Sequence, residues 1–137
     1  MTDLFDILAR ARRIAIVGAS VHAHRPSHQI MRYLMEQGYE VIPVNPCYPE
    51  VLGIPAYPSV RHLPVEVDIV NVFRRPEAVE AVVDDVLASG QQPVIWTQLG
   101  AHSELAQRKA ERARLRYIPE VCIMVVHRQW RQWRCGL

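Results

Sequence analysis

Arg13-Ile-Ala-Ile-Val-Gly-Ala-Ser20 decides the reading of the fold. Ile14 to Val17 is a short, unbroken apolar run rich in β-branched residues, and Gly18 ends it. Such a run, bounded by a turn residue, reads as a strand buried on both faces, as strands are in parallel sheets. A loop follows from Ala19 to Pro26. Ser27 is the expected N-cap of a helix running through Gln37, with Gly38 at its stop. Tyr39 to Val44 reads as a second strand leading into Asn45-Pro46. Strand, helix and strand in this order make one parallel crossover unit.

The pattern extends in both directions. Toward the N-terminus, Leu4, Phe5, Leu8 and Ala11 share one face of a short helix, with Asp3 as its expected cap. Toward the C-terminus, Pro49, Pro55, Pro58 and Pro64 exclude a long regular element between Cys47 and Pro64, and Gly53 to Tyr57 reads as a short edge strand. Val67 to Phe73 is the next strand. Pro76 stands at the first position of a helix whose Val79, Val82, Val83, Val86 and Leu87 form one apolar stripe. Pro93 to Thr97 is a strand. Ser103 caps a helix with Ala106, Ala110 and Ala113 on one face, and Arg114 to Ile118 leads to a last strand. Cys122 to His127 fits either a strand or a helix. The expectation is an α/β fold: a single Rossmann-like, doubly wound, mostly parallel sheet of about five to six strands flanked by helices. The domain is read as residues 1–127, with 128–137 as a basic C-terminal tail.

Composition bounds the function. The chain has 137 residues, is 50% hydrophobic and 22% charged, which is globular rather than disordered. That length holds one nucleotide-binding domain and no second, catalytic one. No apolar run approaches the roughly 20 residues of a membrane span, and no signal peptide is read, so a cytoplasmic, non-membrane protein is expected. Cys47, Cys122 and Cys135 form no C-x-x-C pair, which argues against a disulfide framework and a zinc site. The net charge of +2 hides an asymmetry. Residues 108–137 hold eight Arg or Lys against Glu111 and Glu120, so the rest of the chain is net negative. Trp130 and Trp133 among these cations open a reading as a nucleic-acid or protein interaction segment. A solvated helix face and frayed tail is the reading preferred.

Ligands of open α/β sheets bind beyond the carboxyl ends of the strands, where the strand order reverses. Here those ends carry Gly18-Ala19-Ser20 with Arg25-Pro26-Ser27, then Asn45-Pro46, then Phe73-Arg74-Arg75-Pro76, then Gln98-Leu99-Gly100. Gly18 permits close backbone approach, the helix after Arg25 offers unpaired N–H groups to an anion, and Arg25 adds a guanidinium. The G-x-G-x-x-G fingerprint is absent, and the second strand ends in Asn45 where a dinucleotide site places a carboxylate. An NAD(P)-dependent enzyme or redox sensor is therefore the alternative reading. Arg74 and Arg75 suit a ligand of higher negative charge, or else pair with Asp68 or Glu77. His22, His24 and His28 lack a nearby carboxylate to complete a metal site, and His28 is placed near the phosphates instead. No catalytic serine, cysteine or carboxylate constellation is read.

These segments, together with Pro43-Val-Asn-Pro46, Asp68-Ile-Val-Asn-Val-Phe-Arg74, Trp96-Thr-Gln-Leu-Gly100 and Cys122, resemble the bacterial and archaeal CoA-binding proteins. Their domain is similar to the CoA-binding domain of the succinyl-CoA synthetase α-subunit and of ADP-forming acyl-CoA synthetases. The resemblance implies a Rossmann-type fold binding coenzyme A or acyl-CoA, without the synthetases' ligase activity. It implies Gly18, Ala19, Ser20, Arg25, Pro26 and Ser27 at the pyrophosphate, and Asn45 and Pro46 beside the adenosine part. Phe73, Arg74 and Pro76 would flank the ligand, with Gln98 and Gly100 toward the pantetheine arm. A protein partner is allowed by this reading, and nucleic acid is not expected. Glu120-Val121 stands where family members often carry Asp-Arg.

Overall fold

The computed structural model describes residues 2–136. Strands β1 (Arg13–Val17), β2 (Glu40–Val44), β5 (Ile69–Val72), β6 (Val94–Thr97) and β7 (Tyr117–Ile118) form one sheet in the order β2-β1-β5-β6-β7. Every neighbouring pair is parallel. Helices α1 (Thr2–Arg10), α2 (Pro26–Glu36), α3 (Pro76–Ser89), α4 (Glu104–Arg112) and α5 (Ile123–Arg134) flank it. The doubly wound Rossmann-like fold read from the sequence is the one observed, and the strand order reverses between β1 and β5.

Side chains alternate across the sheet, as a two-residue period requires. Ile14, Ile16, Ile69, Trp96 and Ile118 pack with α1, α2 and α5. Ala15, Val17, Val70, Val72, Ile95 and Tyr117 pack with α3 and α4. Both faces are covered, so the strand interiors are mostly apolar, with Asn71 and Thr97 as buried polar exceptions. None of the described helices is long and apolar enough to cross a membrane.

Four local expectations are corrected. First, α2 begins at Pro26 with Arg25 as N-cap, so Ser27 lies inside the first turn. Proline favours the first helical position, and it holds the preceding Arg25 extended. Second, Asp3 lies within α1 and bonds the Arg116 guanidinium rather than capping the helix. Third, the proline-rich stretch folds back on itself. β3 (Glu50–Val51) and β4 (Ile54–Pro55) form a separate antiparallel pair, and Tyr57 bridges Val44 at the sheet edge. Fourth, the stripe on α3 is narrower than read. Val79, Val82, Val83 and Val86 are buried while Leu87 is exposed. The Ser103 cap is as read, with the Ala106 N–H donating to its Oγ at 3.2 Å.

The largest correction concerns the C-terminus. Residues 128–134 continue α5, so the boundary after His127 falls inside a helix and these residues are no separate tail. Ile123 and Val126 are buried, Trp130 packs on the same core, and Trp133 stacks on Phe5 with centroids 5.8 Å apart. Arg128 lies over the Tyr33 ring and Arg134 over the Trp130 ring, at 5.2 and 4.2 Å. The basic residues are solvated on one side while the tryptophans join α5 to α1.

Candidate functional site

A cleft of about 740 Å³ opens at the carboxyl edge of the sheet, within the range of small-molecule sites. It spans the ends of β2, β1, β5 and β6 and the start of α5, so it includes the point where the strand order reverses. Gly18, Ala19, Ser20, Arg25, Pro26, Ser27, Asn45, Phe73, Arg74, Gln98 and Gly100 line it. Pro46 and Pro76 do not. Pro46 lines an adjoining groove on the α3 side with Ala78 and Val82. Pro76 serves as the first residue of α3, and the Arg75 before it reaches the cleft.

Each loop is held by specific bonds. Gly18 has φ +90°, and a Cβ there would lie 2.3 Å from the Phe73 carbonyl oxygen. Its bare Cα is thus demanded first by the close pairing of the β1 and β5 ends, where the Phe73 N–H donates to the Val17 carbonyl at 2.8 Å. Asn45 uses both halves of its amide. Its Nδ2 donates to the Ala19 carbonyl and its Oδ1 accepts from the Cys47 N–H, each at 2.8 Å. Asn45 therefore positions the β1 loop. His28 is buried away from the cleft, contrary to its expected place near a phosphate. Its Nδ1 bonds the Ser20 carbonyl at 2.8 Å while Arg32 donates to Nε2 at 3.2 Å. An arginine donor on Nε2 leaves Nδ1 as the protonated nitrogen.

The far side of the cleft is equally fixed. Thr97 Oγ1 donates to the Ile118 carbonyl and accepts from the Glu120 N–H, both at 2.9 Å. Trp96 Nε1 donates to the Val121 carbonyl at 2.8 Å. Gln98, only 6% exposed, accepts on Oε1 from Asn71 Nδ2 at 3.2 Å and from the Ile123 N–H at 2.9 Å. Glu120 Oε1 accepts from the Gly100 N–H at 3.2 Å, which ties the Gln98-Leu99-Gly100 turn to the segment entering α5.

The electrostatics are one-sided. Arg25, Arg74 and Arg75 line the cleft and no Asp or Glu does. Among the described residues none of the three makes an ion pair. The expected alternative, pairing with Asp68, fails because Asp68 lies at the opposite end of β5. There its Oδ2 accepts from the Arg12 and Arg13 N–H groups at 2.8 and 3.0 Å. The N-terminus of α2 adds its positive end. Arg25 supplies no side-chain cap, Pro26 has no N–H, and the Ser27 N–H has no protein acceptor among the described residues. Guanidinium groups and an open helix N-terminus form a site for phosphate-like anions.

Sequence reasoning missed several lining residues. Tyr48, His22, Gln29 and Ile30 close the β1–β2 side, and Ala101, Cys122 and Met124 the other, beside the Leu99 already read in the β6 turn. Ile30 and Met124 were legible only once α5 was known to be a helix packed beside α2. Cys122 was visible as a motif position without a stated role.

The comparisons agree with this geometry. The CoA binding domain family matches residues 12–128. The chain is 38% identical over 125 residues to YneT of Bacillus subtilis, an uncharacterised protein, across 91% of this chain and 92% of that one. A hypothetical protein from Pyrococcus horikoshii superposes with a TM-score of 0.90 at 37% identity, over 94% of this chain and 90% of that structure. The α subunit of ADP-forming acetate–CoA ligase II from Pyrococcus furiosus is 31% identical over 98 residues, which are 71% of this chain and 21% of that subunit. With a parallel sheet of this order and a family match over residues 12–128, this chain is a member of the CoA binding domain family.

Proposed function

We propose that this chain binds coenzyme A or an acyl-CoA in the carboxyl-edge cleft, as a binding module rather than an enzyme. One observation carries the reading: three guanidinium groups without carboxylate partners line a cleft that contains no acidic side chain. Coenzyme A has a pyrophosphate and a 3′-phosphate, more negative charge than NAD. In this reading Arg25, Ser27 and the α2 N-terminus hold the pyrophosphate against Gly18, Ala19 and Ser20. Arg74 and Arg75 meet further phosphate charge, and Gln98 and Gly100 lie toward the pantetheine arm. The donor set fits that ligand. It fits NAD less well, because Asn45 is already bonded on both amide atoms and no carboxylate stands at the end of β2 for a ribose diol. Free thiols at Cys47, Cys122 and Cys135 suit the reducing cytoplasm.

Calorimetric titration with CoA, 3′-dephospho-CoA, NAD and NADP tests this. CoA should bind most tightly, and loss of the 3′-phosphate should weaken binding by roughly tenfold, the scale of one charge-assisted contact. Equal affinity for NAD and CoA, or no heat with CoA at millimolar concentration, removes the reading.

A further inference from the structure

We infer that Asn71 is a positioning residue for ligand recognition: it fixes the amide of Gln98, so that the end of β6 presents a hydrogen-bond donor to a carbonyl-bearing arm of the ligand. The inference rests on the CoA reading above and deepens it. Asn71 is fully buried within β5, between Val70 and Val72, and stands level with Ile16 and Trp96 on the neighbouring strands. Its Oδ1 is the one buried side-chain polar atom without a hydrogen-bond partner among the described residues. An unmade buried acceptor costs stability, and an apolar residue of similar size would avoid that cost. The reason for an amide at this position lies in what its Nδ2 does.

Asn71 Nδ2 donates to the Trp96 carbonyl at 3.0 Å and to Gln98 Oε1 at 3.2 Å. Gln98 Oε1 also accepts from the Ile123 N–H at 2.9 Å. A main-chain N–H can only donate, so the Gln98 atom facing it is the oxygen. Asn71 therefore meets two acceptors, the Trp96 carbonyl and Gln98 Oε1, and only its NH2 group can face them. The unpartnered Oδ1 is the consequence of holding Gln98 in this way. Gln98 lines the cleft where β6 ends. With its oxygen held from two sides, its NH2 group is the part left to meet a ligand. Such a donor matches an amide carbonyl, which the pantetheine arm carries, while the phosphates are drawn to the arginines.

The test is calorimetric titration of the parent, Asn71→Leu, Gln98→Leu and the double variant. The probes are CoA and adenosine 3′-phosphate 5′-diphosphate, which carries the phosphates without the pantetheine arm. Asn71→Leu should weaken CoA by roughly three- to tenfold, the scale of one neutral hydrogen bond, and leave the armless probe unchanged. A merely structural role would weaken both probes alike. In the Gln98→Leu background, Asn71→Leu should cost nothing further, because Asn71 acts through Gln98. Asn71→Thr, smaller and without the amide, makes the same comparison if the leucine variant does not fold. Unchanged CoA affinity in the Asn71 variants, equal losses for the two probes, or losses that multiply in the double variant overturn the inference. The parent separates the two failures. A parent that binds CoA while the Asn71 variants bind it equally well removes the positioning role alone, whereas a parent that gives no heat with CoA removes the ligand reading with it.

Discussion

Both edges of the sheet carry a cleft lined by three arginines, yet the two are chemically opposite. At the carboxyl edge Arg25, Arg74 and Arg75 face no carboxylate. At the amino edge Arg12, Arg13 and Arg134 share a cleft of about 610 Å³ with Glu40, Glu66 and Asp68. There Arg13 bonds Glu40, the Arg12 and Arg13 N–H groups share Asp68, and the Arg134 guanidinium lies over Trp130. Equal numbers of arginines thus serve different ends. At the amino edge the Arg13 guanidinium ties β1 to β2 through Glu40, Arg134 covers Trp130 of its own helix, and Asp68 holds the main chain of Arg12 and Arg13. Where nothing in the protein answers them, they are available to an anion. The number of cations says little about binding, and their partners say most of it.

The sharpest way to break the comparison is at the amino edge. Truncation after His127 removes the end of α5 with Trp130 and Trp133, and should cost about 3 kcal/mol or more, the scale of deleting a packed aromatic residue. The denaturant midpoint reads this, and an unchanged midpoint would show those residues to be a tail after all. Next is Gly18→Ala at the carboxyl edge. The collision with the Phe73 carbonyl and the positive φ should destabilise the fold by about 2–3 kcal/mol, whether or not CoA is present. A thermal melt matching the parent would mean that the β1 and β5 ends part easily.

A paired binding experiment sharpens the contrast itself. Arg74→Ala and Arg25→Ala should each weaken CoA by roughly tenfold or more, while Arg13→Ala leaves affinity unchanged and costs less than about 1 kcal/mol of stability. Affinity lost equally at Arg13 would erase the distinction between the edges.

The last contrast is a pH dependence at the amino edge. His127 is buried against the Tyr33, Tyr39 and Trp130 rings, with Tyr33 Oη 2.7 Å from its Nδ1. Burial, followed by the nearby Arg131 and Arg134 charges, lowers its pKa to about 4. A histidine depressed in the folded state gives up stability as the pH falls below its unfolded value near 6.5, until the folded value near 4 is passed. His127→Gln should flatten that part of the stability profile. An identical slope in parent and variant would assign the acid sensitivity elsewhere.

Much of this was legible in the residues. The buried strands announce themselves as short β-branched runs, Ser103 as a cap, and Pro76 as a helix start, because these signals act over a few neighbours. The arginines at strand ends were legible for the same reason: fold order assigns each loop to one edge. The β3–β4 hairpin was hidden by its prolines. The end of α5 was hidden because its charges are exposed while its tryptophans pack against α1, far away in the chain.

The sequence by itself determined the α/β order, the edge at which a ligand would sit and the residues at the strand ends. Only the tertiary structure decided which of those residues are free to use. Asn45 and His28 look available in the chain and are consumed by the Ala19 and Ser20 carbonyls. Arg74 looks paired and is open, because Asp68 lies at the other end of its strand. Gln98 and Cys122 become neighbours only when β6 and α5 meet. Local propensity is written in adjacent residues, whereas hydrogen-bond satisfaction depends on groups that folding alone brings together.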